Sequence, residues 1–148
     1  MCDARGMGNA IWLLTALPSW YLEGAAHPLS AGALTLIPAI GLFALLLGAV
    51  LGVAARRREL LWFLLLFGLS EVLVGLAGLM RGQVRPSASD GLAAILYAFL
   101  GLQLSVSVYL LYRIRGARLA TAALGIFSVT YAAYAIFIAG MSFTDTWL

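Results

Sequence analysis

The stretch LLWFLLLFGLSEVLVGLAGLM, residues 60–80, decides the fold. About 20 apolar residues rising ~1.5 Å each cover the ~30 Å hydrocarbon core of a bilayer, so this stretch reads as a membrane-spanning helix. It carries one ionisable group, Glu71, near its middle. A charge at that depth costs roughly 2.5–3.5 kcal/mol on insertion scales and therefore turns toward protein rather than lipid. Gly68, Glu71, Gly75 and Gly78 fall within about 80° of one another on a helical wheel. The carboxyl is thus expected in a glycine groove, away from the Leu-rich face.

Three similar stretches surround this one, giving spans at about 31–54, 60–80, 91–112 and 119–140. The first carries Gly41, Ala44, Gly48 and Gly52, a small-residue face on which another backbone can approach closely. Pro38 in its first half removes a backbone donor and predicts a bend. The third places Ala94, Ala98, Gly101 and Ser105 on one face, with Gln103 and Ser107 nearly opposite. The fourth has a stripe of Thr121, Gly125, Ser128, Ala132, Ala135 and Ala139. The expected fold is an all-α membrane protein, a four-helix up-and-down bundle over residues 31–148.

Residues 1–30 form a separate N-terminal segment in this reading. Ala10 to Leu17 is too short to span, and Pro18 interrupts it. A signal peptide fits poorly: Asp3 offsets Arg5, Trp12 sits inside the apolar run, and Glu23 lies near any cleavage point. Trp12, Trp20 and Tyr21 favour the lipid–water boundary. The expectation is a short helix lying in the interface, with a turn at His27-Pro28.

Composition excludes several function classes. The chain is 64% hydrophobic and 10% charged, against ~25% charged in soluble domains. All nine basic residues are Arg, and the net charge is +3. No basic surface interleaved with aromatics suggests nucleic acid as a partner. One cysteine, Cys2, and one histidine, His27, supply neither a disulfide, a structural zinc site nor a bis-His haem, and no cofactor is expected. Phosphate-binding, nucleophile-elbow and His-Glu-x-x-His motifs are missing.

The arginines instead orient the chain. Arg56, Arg57 and Arg58 precede the opening stretch, and Arg113, Arg115 and Arg118 lie between the third and fourth spans. The second link holds only Arg81 and Arg85, and the N-terminal segment only Arg5. The positive-inside rule then puts the two Arg-rich links in the cytoplasm and both termini outside, as in a bacterial inner membrane. Those six arginines are also candidate contacts for anionic headgroups.

The candidate functional residues form a polar layer at mid-depth: Glu71, Gln103, Thr130 and Tyr131. Glu71 could couple proton or cation movement to transport, with Gln103 and Tyr131 lining the path. It could equally hold helix register by donating a hydrogen bond to Gln103 or to a backbone carbonyl, a bond of ~0.6 kcal/mol on average. One acid favours the structural role, since proton relays use chains of them. Gly41, Gly48, Gly52, Gly68, Gly75, Gly78, Gly101 and Gly125 are the expected helix-packing positions. The leading expectation is a non-catalytic membrane subunit that packs with itself or with a larger membrane complex. A small proton-coupled transporter or channel using Glu71 comes second. A lipid-acting enzyme comes third, with His27, Glu23 and Arg81 as its thin set of groups.

Overall fold

The computed structural model describes residues 4–26, 33–55, 58–80 and 89–144, and these are all-helical. Five α-helices follow one another: α1 (Ala4–Ala26), α2 (Ala33–Ala55), α3 (Trp62–Leu79), α4 (Ser89–Arg113) and α5 (Arg118–Thr144). A short 3-10 turn, Arg58–Leu61, leads into α3, and another, Arg115–Ala117, joins α4 to α5. The last four α-helices are long and apolar enough to cross a membrane. They coincide with the four spans read from sequence, with α5 continuing to Thr144.

Local chemistry explains the breaks. Ile114 leaves the helical region at φ −89°, ψ 74°, which ends α4, while its amide still donates to Leu110 O at 2.9 Å. At the end of α3 the Met80 amide donates to Leu76 O at 3.0 Å and closes the final turn. Pro38 is accommodated inside α2 with its ring fully buried.

Helix α5 is the hub. It packs against α2, α3 and α4, and 44% of its apolar window is buried, against 22% for α2 and α4. Its whole small-residue stripe is covered: Thr121, Gly125, Ser128, Ala132, Ala135 and Ala139 are all buried. Small side chains there let three helices approach one axis, the geometry that membrane helices use in place of a hydrophobic driving force. Three apolar clusters stack along the hub. Leu60, Phe63 and Leu66 meet Leu110, Ile114 and Ala120 at one end. Leu17, Tyr21 and Val74 meet Tyr131 and Ala135 in the middle. Ala77, Leu96, Ala139 and Phe143 pack together beyond them.

The N-terminal segment departs from expectation. In place of a short helix interrupted at Pro18, α1 is continuous over 23 residues with Pro18 inside it. It packs against α2 and α3, and Leu13, Leu17 and Tyr21 are 1%, 0% and 2% exposed. Ala10 lies beside Gly78, Leu14 beside Gly75, and Tyr21 beside Gly41 and Thr130. The helix therefore lies lengthwise along the bundle. Burial of one face outweighs the single amide lost at Pro18, because tertiary packing supplies most of a helix's stability. The turn expected at His27-Pro28 lies outside the described residues.

Candidate functional site

Glu71 points from α3 toward α5 and accepts a hydrogen bond from the Tyr131 hydroxyl. Rings surround the Tyr131 member of this pair, and Glu71 itself is half-buried. The Tyr131 ring lies 4.7 Å from Phe67, 5.0 Å from Tyr21 and 5.7 Å from Phe127, centroid to centroid. Tyr134 closes on Tyr21 at 5.6 Å in an edge-to-face arrangement. Such pairs contribute about 0.5–1.5 kcal/mol each beyond burial of their area, so the cluster is a rigid setting for one carboxyl.

A second hydroxyl pair sits beside the first. Tyr21 and Thr130 approach at 3.0 Å. The Thr130 hydroxyl has one proton, which it directs to Ile126 O and Phe127 O, both at 2.9 Å. Tyr21 is therefore the donor and Thr130 Oγ1 the acceptor. Gly41 makes this contact possible, since a Cβ there would collide with both hydroxyl oxygens. Tyr21 was expected at the lipid–water boundary. The Thr130 partner and the gap at Gly41 draw it into the core instead.

Gln103 occupies a different place. Its side chain is wholly buried, and Nε2 donates to Leu66 O at 3.0 Å and to Ser70 Oγ at 3.1 Å. Oε1 accepts from Ser128 Oγ at 3.0 Å. One amide thus clasps α3, α4 and α5 with both protons used. Ser70 and Glu71 are adjacent in sequence, so they diverge by about 100° around α3 and lead to separate clusters. The expected layer of Glu71, Gln103, Thr130 and Tyr131 is thus two groups. Glu71 meets Tyr131, Thr130 meets Tyr21, and Gln103 meets Ser70 and Ser128. The bond expected from Glu71 to Gln103 is replaced by the one from Tyr131.

Further polar groups hold the helices without forming a site. Ser142 Oγ donates to Ala77 O at 3.1 Å, linking α5 to α3, and Thr121 bonds its own helix at Ala117 O. Ser107 Oγ is buried with no hydrogen-bond partner among the described residues. Ser70, Ser128 and Tyr21 were not read as site residues from sequence. Serine near Gln103 in depth was the available signal for the first two.

The glycine groove beside Glu71 is occupied. A Cβ on Gly78 would lie 2.6 Å from Ala10 Cα, and one on Gly75 would lie 3.5 Å from Leu14 Cδ2. Helix α1 fills the groove at Gly75 and Gly78. Gly48 faces Leu124, Gly52 faces Leu60 and Gly125 faces Ser107. Gly68 and Gly101 have open space where a Cβ would stand. On α4, Gly101 belongs to a face on which Ala94, Ala98 and Ser105 are exposed as well.

At the Arg-rich end, Arg113, Arg115 and Arg118 are exposed. Arg113 Nη1 donates to Tyr109 Oη at 2.7 Å, and its guanidinium carbon stands 5.9 Å from that ring's centroid. Arg58 opens the 3-10 turn before α3, while Arg56 and Arg57 lie outside the described residues. So do His27 and Arg81, leaving exposed Glu23 as the described member of the enzyme set. Among the described residues, no group of three His, Cys, Asp or Glu could hold a metal ion. Comparison with family models, curated proteins and solved structures finds no match to this chain.

Proposed function

We propose that this chain is a small, non-catalytic subunit of a membrane assembly, in which α4 packs against a helix of a second copy or of a larger complex. The observation that carries this reading is the exposed face Ala94, Ala98, Gly101 and Ser105. These residues lie within about 60° of one another, opposite the buried Leu96, Gln103, Ser107 and Leu110. Gly75 and Gly78 of α3 and the small stripe of α5 are covered from within the chain, as are Gly41, Ala44 and Gly48 of α2. Helix α4 holds a face of four small residues that is exposed along its length. Lipid tails gain little from such a face, whereas a second backbone gains close van der Waals contact along it.

The accompanying topology is an up-and-down bundle in a bacterial inner membrane, with both termini outside and α1 running beside the four spans. It is supported by the pairing of Leu60 with Ile114 and Ala117, which gathers the ends of both Arg-rich links together. Pairings of Gly48 with Leu124 and Gln103 with Ser128 accord with neighbours of alternating direction.

Purification in a mild detergent followed by native mass spectrometry tests the assembly reading. The expected result is a homo-oligomer or a complex of fixed stoichiometry that the double variant Ala98→Leu/Gly101→Leu loses. A wild-type chain that stays monomeric and partnerless in vesicles sinks it. The transporter reading retains one observation in its favour, the Glu71–Tyr131 pair within its aromatic ring cluster. Its path through Gln103 loses support, because the protons and the oxygen of that amide are already engaged elsewhere.

A further inference from the structure

Helices α3 and α4 diverge along one side of the bundle and leave a groove of about 950 Å³. Its walls are apolar, with Leu65, Leu69 and Val72 on α3 facing Val106 and Leu110 on α4. Its floor is lowered at Gly68, where a Cβ would meet nothing within 4 Å. The polar lining gathers at one end, where Glu59, Trp62, Tyr109 and Arg113 meet.

We propose that this groove binds one phospholipid with a phosphoethanolamine head, taken from the leaflet at the Arg-rich end. Three features of the groove select that occupant. The first is length. From Glu59 to Val72 the wall climbs about 20 Å at ~1.5 Å per residue, which is half of the ~40–45 Å between the two headgroup layers. The groove therefore reaches from the headgroup region to the bilayer centre, the reach of one lipid. The second is the charge pattern at the mouth. Arg113 is held along the Tyr109 ring by its hydrogen bond and cation–π contact, which leaves guanidinium protons free for a phosphate. Glu59 is exposed at the groove mouth, so its carboxylate can accept from an ammonium. Among the described residues that line the groove, Arg113 is the one cation and Glu59 the one carboxylate, a pattern that matches a zwitterionic head. An anionic head would meet the Glu59 charge, and a choline head has no N–H to donate to it. The third is Trp62, exposed at 58% at the same level, an aromatic ring of the kind that settles among headgroups.

Purified full-length chain, exchanged into mild detergent with equal amounts of dioleoyl phosphatidylethanolamine, phosphatidylglycerol and phosphatidylcholine, tests the proposal by native mass spectrometry. The expected result is one retained phosphatidylethanolamine per chain, favoured at least tenfold over the other two lipids. Gly68→Phe fills the groove floor without meeting protein atoms at its Cβ, and should cut retention at least tenfold with the melting temperature unchanged. If that variant fails to fold, Leu69→Trp at the groove wall serves instead. Arg113→Gln should weaken phosphatidylethanolamine, and Glu59→Gln should erase its advantage over phosphatidylglycerol. Equal retention of the three lipids, or retention indifferent to a folded groove-filling variant, would mean ordinary boundary lipid and would overturn the site.

Discussion

Two small-residue faces of this chain look alike in sequence and end differently. Gly75 and Gly78 on α3 are closed by the N-terminal helix, whose Ala10 backbone stands 2.6 Å from where a Gly78 Cβ would be. Ala94, Ala98, Gly101 and Ser105 on α4 are exposed, and a Cβ on Gly101 would meet nothing within 4 Å. A stripe of small residues states that a backbone can come close. It does not state whose backbone. On α3 the chain answers from within. On α4 no helix among the described residues answers, and this asymmetry is the basis of the assembly reading.

The comparison breaks most sharply at Gly78. Gly78→Leu has no flexible side-chain end to push aside, because the neighbouring atoms are backbone atoms of Asn9 and Ala10. Overpacking of this kind costs about 1–3 kcal/mol, and here it should approach the upper end and lever α1 away from the bundle. The expected outcome is a lowered melting temperature in detergent together with rapid proteolysis within residues 4–26. A variant as stable as the parent, with α1 still protected, would show that the α1–α3 contact is not closed.

The same substitution on the other face should leave the monomer intact. Gly101→Leu adds a side chain into open space, so unfolding of the isolated chain should be unchanged. Association should weaken about tenfold, equivalent to ~1.4 kcal/mol, because the partner's backbone can no longer approach. Energy transfer between labelled copies, or between the chain and its partner, diluted in vesicles measures it. Equal loss of monomer stability at Gly78 and Gly101 would erase the distinction between the two faces.

Much of this is legible in the sequence. The apolar length of the four spans fixes helices α2 to α5, because a membrane-spanning segment has few other ways to satisfy its backbone. The packing positions Gly41, Gly48, Gly75, Gly78 and Gly125 were legible for the same reason that they work, the absence of bulk. Helix α1 was not. Pro18 and the short apolar run at 10–17 are local signals, whereas the burial of Leu13, Leu17 and Tyr21 comes from partners far away in the chain. The polar layer was legible as a depth and not as an arrangement. Placing Glu71 and Gln103 at similar heights says nothing about the two sides of α3 that Ser70 and Glu71 face.

Those two sides give the next test, smaller than the packing ones. Gln103→Leu keeps volume and removes the amide that Ser70 and Ser128 engage. Side-chain hydrogen bonds between membrane helices average ~0.6 kcal/mol, and the serines can fall back on carbonyls of their own helices. A net loss of about 1 kcal/mol in monomer stability is expected, read by unfolding in mixed micelles. Association through α4 should not change, since Gln103 and Gly101 lie on opposed faces. A variant that unfolds like the parent would reduce the clasp to a contact without consequence.

The smallest effect is expected at the residue that first draws attention. Glu71→Gln keeps the shape of the side chain and the carbonyl oxygen that can accept from the Tyr131 hydroxyl. The Phe67, Phe127 and Tyr21 rings around Tyr131 stay as they are. Under the subunit reading, stability should shift by less than ~0.6 kcal/mol and assembly should be normal, because a neutral acceptor does what the acid does. Tyr131→Phe removes the donor while preserving the ring, and should cost more than Glu71→Gln by leaving a carboxyl oxygen unpartnered in an apolar setting. The decisive measurement is proton-dependent flux across vesicles containing the parent and Glu71→Gln. Flux that is present in the parent and abolished in an assembled, folded Glu71→Gln would move Glu71 from a register-holding group to a coupling site. Such a result would make the aromatic cluster around Tyr131 part of a transport path, and the open face of α4 would then mark how the transporter forms its oligomer.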